Sequence, residues 1–379
     1  MLGPCSDANR KAMGALTTAD AEDLSTALLA WWEHHGRGGI PWKLLPSGVT
    51  PAPRQDLDPY GIWIAEVMLQ QTQLAVALPY WRRWMAVFPT VEALAAASLD
   101  EVRLQWQGLG YYSRARRLHE AAQLLVGHPW PHSLEGWMAL PGIGRTTAGS
   151  ILSSAFNVPL PILDGNVKRV LTRLHAVPGW PGKKPVENRL WELAEQHTPD
   201  QRLADYTQAV MDLGATLCTR RPDCPRCPVA HLCQAHADGN PQDYPGRKPA
   251  KDKPVRATRM LILQNDDGHV WLEPRPPSGI WGGLWCFPQL DPEDARGDAL
   301  ERRGLAARHQ ENLPGFRHTF SHFHLDIEPQ LIRVDSQGHA VQDAEGRWVS
   351  PADPGELGLA APVKKLLDQL HGPRQRGLL

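Results

Sequence analysis

The sequence predicts two domains of different class, an all-α domain followed by an α/β domain. Over the first two thirds of the chain, apolar residues recur every three or four positions, as at Leu24, Leu28 and Trp31, which is the period of an amphipathic helix. Beyond a proline-rich stretch, short runs alternate apolar and polar residues, as strands do. A length of 379 residues is also what two domains of ordinary size need.

We expect no export signal at the beginning of the chain. Residues 1–21 read as a loose tail in which Asp7, Arg10, Lys11 and Asp20 leave no apolar core. Hydrophobic residues make up 42% of the chain, but no apolar run approaches the roughly 18 residues that cross a bilayer. We therefore expect a cytoplasmic protein without a membrane partner.

Basic residues are clustered although the net charge is only −1. Arginine and lysine gather at 114–117, 168–173, 183–184 and 220–226, whereas acidic residues collect toward the C-terminus. Such clusters can bind phosphates in a chain of balanced charge, although any one of them is more commonly a solvated surface. The clusters favour a polyanionic partner.

Glu66 lies on the apolar face of a predicted helix. In the segment 58–72 it shares a stripe with Ile62 and Leu69, and burial there would raise the pKa of its carboxyl. The alternative is a solvated position at the edge of the stripe, where most glutamates are found. A buried Glu66 would keep its proton near neutral pH.

A glycine-rich turn follows a short helix that ends near Ala139. In the segment 140–148, Gly142 and Gly144 allow consecutive amides to face one anion at the start of the next helix. A turn of this kind resembles the helix-hairpin-helix, which grips the DNA backbone without reading sequence. A tight connection between two helices explains the same glycines, and both interpretations stay open.

Asp164 precedes a helix that begins near Gly165. It is a good N-cap, and the amides and dipole of the helix favour its ionised form; a purely structural cap is the alternative. One carboxyl kept protonated, as expected for Glu66, and one kept ionised are the pair that cleaves a glycosidic bond through an oxocarbenium-like state.

Four of the six cysteines fall within sixteen residues: Cys218, Cys224, Cys227 and Cys233. Their spacing contains a single C-x-x-C pair, whereas structural zinc usually presents two such pairs. The spacing therefore favours an iron–sulfur cluster held by four thiolates, with zinc as the alternative and chance as a third. Disulfides are the weakest interpretation in a reducing cytoplasm.

Several stretches together resemble the helix-hairpin-helix glycosylases, and within them the adenine DNA glycosylases of the MutY type. The resemblance covers nearly the whole chain. Besides the four cysteines, the matching stretches are 66–73 (EVMLQQTQ), 108–114 (GLGYYSR), 140–145 (LPGIGR), 162–169 (ILDGNVKR) and 316–324 (FRHTFSHFH).

The resemblance implies removal of adenine mispaired with 8-oxoguanine, or with guanine, from double-stranded DNA in base excision repair, by a monomer acting on the nucleoid of a prokaryote. It implies that Glu66 protonates the adenine and later positions water, that Asp164 stabilises the sugar cation, and that Asn166 supports that cation. Gln71 and Tyr111 match residues that wedge into the duplex when the base flips.

The resemblance also assigns DNA contacts, a cofactor and a reaction class. Gly142, Gly144 and Lys168 would hold phosphates, Ser321 would recognise 8-oxoguanine, and the four cysteines would hold a 4Fe-4S cluster. Relatives that also cut the strand carry a nucleophilic lysine two residues after the second glycine of the hairpin. This chain has Thr146 there, which implies a monofunctional enzyme.

The strand-rich domain resembles the Nudix fold but has no acidic box at 291–311. It should therefore bind and not hydrolyse. We predict a tail at 1–21, a catalytic helical domain at 22–236 with the cluster loop at 218–233, a linker at 237–257 and a lesion-recognition domain at 258–370. Two alternatives remain, a noncatalytic redox-sensing DNA-binding protein and a nucleotide pyrophosphohydrolase.

Two departures from the family pattern concern loops. The loop 44–57 is longer than is usual in the family, and only five residues separate Cys218 from Cys224 where six are usual. Cys5 and Cys286 match no residue with a family role.

Overall fold

The computed structural model describes residues 18–52, 55–249, 252–276, 279–291, 296–301, 303, 305–335 and 346–371. Nearly all of the predicted tail lies outside the described residues, as do Cys5 and positions 292–295 of the region searched for an acidic box. The described helices are α1 Thr18–His35, α2 Pro59–Leu69, α3 Leu74–Val87, α4 Val91–Ala96, α5 Leu99–Trp106, α6 Ser113–Leu125, α7 Leu134–Met138, α8 Arg145–Phe156, α9 Gly165–Leu174, α10 Lys184–His197, α11 Leu203–Thr216, α12 Gln234–Ala237, α13 Arg296–Glu301 and α14 Ala361–His371.

The described residues form two compact units. The first unit contains residues 18–70 and 128–249, and the second contains 71–127 together with the C-terminal residues from 252 onward. The chain therefore leaves the first unit after α2 and returns to it before α7. The domain boundaries stated above stay a prediction. Among the helices that the structure describes, none has the length and hydropathy needed to span a bilayer.

Three helices of the first unit, α2, α8 and α9, carry or adjoin the residues with predicted chemistry, and α11 packs against α8 and α9. In α9 the predicted apolar stripe is confirmed, because Val167, Val170, Leu171 and Leu174 are all buried. α9 packs against α11, and α2 packs against α8. The glycine at 214 in α11 allows a close approach, since a Cβ there would lie 2.7 Å from the Cβ of Asn166.

Two histidines meet where α9 and α10 end. The Nε2 atoms of His175 and His197 lie 2.8 Å apart, and the two rings are stacked with centroids 5.0 Å apart. His197 is buried and His175 is half-buried. Burial, then the charges of His197 and Arg189, lower the pKa of His175 to about 3. His175 is therefore neutral at physiological pH.

The sheet of the second unit is mixed. Its strands are β1 Val255–Gln264, β2 Val270–Pro274, β3 Trp285–Cys286, β4 Gln289–Leu290, β5 Ala307–Asn312, β6 Phe316–Thr319, β7 His324–Val334 and β8 Arg347–Val349. The main order is β3-β2-β1-β7-β5, with β4 paired to β1, β6 to β7 and β8 to β2. β1 and β7 run parallel, from Val255 opposite His324 to Gln264 opposite Arg333, and the other pairs are antiparallel.

Both faces of this sheet are covered. Met260 and Ile262 belong to one apolar core, which includes Val363 of α14, whereas Leu261 and Leu263 belong to a second core on the opposite face. Side chains alternate between the faces of a strand, so a strand buried on both faces reads as a continuous apolar run. The predicted class, a helical region followed by an α/β domain, is confirmed.

The alternating pattern of 316–328 predicts one strand, and this prediction is wrong. β6 and β7 form a hairpin with Thr319 opposite His324, and residues 320–323 form the turn. Phe323 is buried, and its ring stacks on that of Phe320 with centroids 4.5 Å apart. The turn continues the alternation of aromatic and polar residues, so the pattern alone does not show where the chain reverses.

Candidate active site

Glu66 is half-buried in α2 and faces α8. Burial raises the pKa of its carboxyl, and the charge of Asp164 raises it further; Lys43 and the hydroxyl of Ser150 act in the opposite direction. Because burial is the largest of these effects, the carboxyl retains a proton at a higher pH than an exposed glutamate does. The predicted direction of the pKa shift of Glu66 is confirmed.

Lys43 is a residue that the sequence interpretation missed. It ends a short 3-10 turn at Pro41–Lys43, and its Nζ donates a hydrogen bond to the hydroxyl of Ser154 in α8. Burial lowers the pKa of Lys43, while Glu66, Asp205 and Asp212 favour its charged form. The available signal was a single lysine within the otherwise apolar run 40–45.

A cavity of about 310 Å³ lies beside Lys43 in the first unit. Ser154 of α8 lines it, as do Asp205 and Gln208 of α11 and residues 50–52 of the long loop. The loop 44–57, which had no predicted role, thus forms part of the wall of this cavity. Ser154 lies one helical turn from Ser150, whose hydroxyl acts on Glu66.

Asp164 caps the N-terminus of α9, as predicted. Its Oδ1 accepts from the amide of Val167 at 2.7 Å, and its Oδ2 accepts from Nδ2 of Asn166 at 3.1 Å. These bonds favour the ionised form, but burial outweighs them and raises the pKa of Asp164. The expectation that the helix N-terminus favours the ionised form is confirmed for the hydrogen bonds of the cap, but that expectation left out desolvation, which acts in the opposite direction and is larger.

Arg169 connects the catalytic candidates to the cysteine loop. Its Nη2 donates to Oδ1 of Asn166 at 2.9 Å, and its Nε donates to the carbonyl of Cys218 at 2.7 Å. The sequence interpretation placed Arg169 and Arg173 in a cluster that could bind phosphates. Arg169 points inward, and Arg173 is 3% exposed and donates to carbonyls of 219–220, Pro241 and Tyr244.

The four clustered cysteines are free thiols and half-buried. Arg173 donates from Nη1 to the sulfur of Cys218 at 3.3 Å, and the Cys233 thiol lies 3.4 Å from the Arg173 carbonyl. Burial raises the pKa of Cys227 to about 12, and the charges of the other three thiols act in the same direction. If all four thiols lost their protons, the thiolates would repel one another unless a cation lay between them. A metal site supplies such a cation.

No group of three or more His, Cys, Asp or Glu side chains within the described residues is placed to hold a metal ion. The donor set itself fits an iron–sulfur centre, since four sulfurs from one short loop adjoin a buried guanidinium that can donate to them. The shorter spacing between Cys218 and Cys224 is accommodated by a 3-10 turn at Cys224–Arg226.

The predicted phosphate hairpin lies between α7 and α8. Gly142 has a φ of 83°, which favours glycine, and Gly144 is the N-cap of α8; both are exposed. Thr146, at the position of the nucleophilic lysine of other glycosylases, is half-buried. Lys168 is half-buried and its Nζ pairs with Glu187 at 2.9 Å.

Gln71 and Tyr111, the predicted wedge residues, both belong to the second unit and are exposed. Both have left-handed backbones, with φ of 60° and 48°, which costs a side-chain-bearing residue about 1–3 kcal/mol. Arg114 donates to the carbonyls of Leu109 and Gly110 at 3.1 Å, and thereby supports the loop that presents Tyr111. Strained backbone conformations of this kind are common at functional sites, where the fold holds a side chain in the position that binding requires.

Ser321 is exposed in the turn between β6 and β7. Its hydroxyl lies 3.2 Å from Nδ1 of His322. The rings of Trp281, His318 and Phe320 pack together at the base of this turn, with centroids 4.7–5.6 Å apart. The turn thus exposes the Ser321 hydroxyl next to a cluster of aromatic rings.

The first unit brings together Glu66, Asp164 and Asn166, and it also contains the cysteine loop, the hairpin and Lys168. The second unit contains Gln71, Tyr111 and Ser321. The residues predicted to transfer a proton and to stabilise the sugar cation lie in the first unit. Those predicted to contact the bases of the duplex lie in the second unit.

The chain is similar to known proteins over most of its length. The family of HhH-GPD superfamily base excision DNA repair proteins matches residues 64–196, and the NUDIX domain family matches residues 259–369. An adenine DNA glycosylase of Buchnera aphidicola subsp. Acyrthosiphon pisum (strain APS) is 33% identical over 349 residues, covering 91% of this chain and 96% of that protein. The adenine DNA glycosylase of Mus musculus is 33% identical, with 94% and 79% covered. A solved thermostable thymine-DNA glycosylase is 25% identical at a TM-score of 0.49 and covers 58% of this chain and 98% of its own.

Proposed function

The chain belongs to the adenine DNA glycosylase family, and from this premise we propose that it removes adenine opposite 8-oxoguanine, and also opposite guanine, after flipping the adenine out of the duplex. Its activity is that of a base excision repair glycosylase, which hydrolyses an N-glycosyl bond. The finer assignment of the mispair and of the roles of the residues is our proposal.

The raised pKa of Glu66 is the observation that carries this proposal. A protonated carboxyl can donate a proton to the departing adenine, which makes the base a better leaving group. After departure, the carboxylate can accept a proton from the attacking water, and the acid is restored. Lys43 favours the carboxylate form, so it would stabilise the state that follows proton transfer.

Asp164 would stabilise the sugar as positive charge develops. A nearby cation lowers the pKa of a carboxyl, so the oxocarbenium-like state would itself promote the ionised form that burial disfavours. The bonds from Val167 and Asn166 fix both carboxylate oxygens. Asn166 is in turn held by Arg169, which would keep the pair in position.

Gln71 and Tyr111 would fill the gap that the extruded base leaves in the duplex. The exposed amides of Gly142 and Gly144 would hold a backbone phosphate at the start of α8. Lys168 would contribute a second phosphate contact, which requires it to share or exchange its bond to Glu187.

Cys218, Cys224, Cys227 and Cys233 would hold a 4Fe-4S cluster. When bound, the cluster would supply the positive centre that four thiolates need and would cross-link residues 218–233. Arg173 would donate to the sulfur of Cys218, and Arg169 would connect the loop to Asn166.

Iron analysis tests the cofactor. We expect protein purified without chelators to be straw-brown, to absorb broadly in the blue and to contain about four irons per chain. Serine at Cys227 should abolish the colour, whereas serine at Cys286, which is buried in the second unit, should not. Stoichiometric zinc in protein made with ample iron would contradict the cluster.

An excision assay tests the function. Duplexes with adenine opposite 8-oxoguanine, guanine or thymine should lose adenine from the first two, and strands should break only after alkali. Because Thr146 stands where strand-cutting relatives have lysine, borohydride should trap no efficient covalent adduct. Strand cleavage as fast as base loss, or removal of another base, would overturn the proposal.

Ser321→Ala tests recognition of the lesion more cleanly than a deletion, because Tyr112 packs on the core of the sheet and deletion would expose it. If the Ser321 hydroxyl bonds 8-oxoguanine, the preference for 8-oxoguanine over guanine should fall roughly tenfold, since leaving the partner of one buried hydrogen bond unsatisfied costs about 1–3 kcal/mol. The ratio of single-turnover rates on the two duplexes measures this preference. Ser350→Ala, on another turn of the same unit, should leave the ratio unchanged; an equal ratio in Ser321→Ala would refute this role.

A further inference from the structure

A basic cavity in the second unit has no part in the reaction described above. Its volume is about 470 Å³, which is within the range of ligand pockets. One wall comes from α5, and the others come from the end of β2, the segment before β3, and the start of β8. The lining residues are Asp100, Arg103, Pro274, Arg275, Gly283, Trp285, Gly346 and Arg347.

The charge of the lining is predominantly positive. Three arginines face a single acid, Asp100, which accepts from Nη1 of Arg103 at 3.1 Å. The Nε of Arg275 is buried and has no hydrogen-bond partner among the described residues. The guanidinium of Arg347 lies over the ring of Trp285, 5.2 Å from its centre. Each guanidinium has five N–H donors, so most N–H groups of the three arginines do not donate to another described residue of the lining.

Glycine at 283 lets a guanidinium lie directly against the backbone. Its φ is 71°, and a Cβ there would come within 1.8 Å of Nη2 of Arg103. Gly358 lies on the other side, where a Cβ would be 3.1 Å from the Cβ of Arg103. The side chain of Arg103 is only 11% exposed. The fold therefore holds a cation in a confined space, which is costly unless an anion compensates it.

We propose that this cavity binds a phosphate-bearing ligand through a pyrophosphate or phosphodiester group. Guanidinium groups match phosphate oxygens in bidentate geometry and are the usual choice for recognising them. Arg275 supplies a buried donor without a partner, and Arg103 and Arg347 supply charge from two other walls. Asp100 is the one acid among the described lining residues and is already bonded to Arg103, so we expect the cavity to bind its ligand without hydrolysing it.

Isothermal titration of the full-length protein, isolated with its metal, with sodium pyrophosphate at 150 mM salt tests the proposal. We expect one site per chain, and at least tenfold weaker binding in Arg275→Gln, because a charge-assisted bond to the anion is lost. Arg333→Gln is the matched control, since Arg333 is exposed on β7 outside the cavity; it should bind as the unmodified protein does. Arg275→Lys keeps the charge and should bind with intermediate affinity. Thermal unfolding curves of the variants check that they are folded.

Two competitors identify the source of the phosphate. Thymidine diphosphate is chosen because its base is not the one expected in the catalytic site. If thymidine diphosphate displaces pyrophosphate and an undamaged duplex does not, the ligand is a free nucleotide. If the duplex displaces pyrophosphate, the cavity holds a backbone phosphate. Both outcomes support the site. No saturable binding of pyrophosphate, or equal losses in Arg275→Gln and Arg333→Gln, would overturn it.

Discussion

Glutamine at position 66 should slow excision of adenine by roughly 10²–10⁴ while binding of the mispaired duplex persists, because general acid catalysis contributes about that factor. The substitution preserves size and leaves an amide that cannot donate an acidic proton. Glu66 faces Ser150 and lies near Lys43 in a half-buried position, so no bulk solvent acid is expected to replace it there.

Single-turnover rates on a duplex with adenine opposite 8-oxoguanine measure the effect, and a binding assay on the same duplex separates chemistry from affinity. Glu22→Gln in the exposed part of α1 is the matched control and should retain the full rate. The pH profile gives a second test. The excision rate of the unmodified protein should fall as pH rises through the raised pKa of Glu66. The residual rate of Glu66→Gln should not show this decrease. A fully active Glu66→Gln enzyme would mean that another group supplies the proton.

Acidification from pH 7 to pH 5 should lower the free energy of unfolding by about 2 kcal/mol through the histidine pair at the ends of α9 and α10. The pKa of His175 is about 3 in the folded protein and about 6.5 when exposed. Between these values the unfolded chain binds a proton that the folded chain does not. Stability is therefore present in full above pH 6.5 and is lost as pH falls toward 3.

Urea unfolding at pH 5, 6, 7 and 8, followed by circular dichroism, measures this dependence. His175→Gln removes one partner of the 2.8 Å contact and should flatten the curve between pH 5 and 7. His128→Gln, at an exposed position of the same unit, should keep the unmodified slope. If the free energy of unfolding of His175→Gln depends on pH as that of the unmodified protein does, groups other than His175 cause the loss of stability in acid.

Local patterns were sufficient for the elements that carry the chemistry. An aspartate directly before an apolar-periodic run predicted the cap of α9, and two glycines predicted the turn before α8, because both depend on neighbours within four residues. The shift of the Glu66 pKa was also predictable, since its position in an apolar stripe already implies burial.

Properties that depend on distant residues were not predictable. The inward direction of Arg169 and Arg173 depends on carbonyls that lie 45 or more positions further along the chain. The shift of the Asp164 pKa depends on how deeply the helix end is buried, which the cap sequence does not contain. Lys43 was missed because its interaction is with Ser154, 111 positions away.

The interleaving of the two units along the chain has a consequence for synthesis on the ribosome. The helices of 71–127 emerge early, but their partner sheet is incomplete until β7 pairs with β1, some 70 positions after β1 begins. The first unit can close once residue 249 has left the exit tunnel, whereas α3–α6 must wait for the end of translation. Contacts between distant positions also form slowly. Nascent chains stalled soon after residue 249 has left the exit tunnel should therefore show protease protection at 128–249 and cleavage within 71–127.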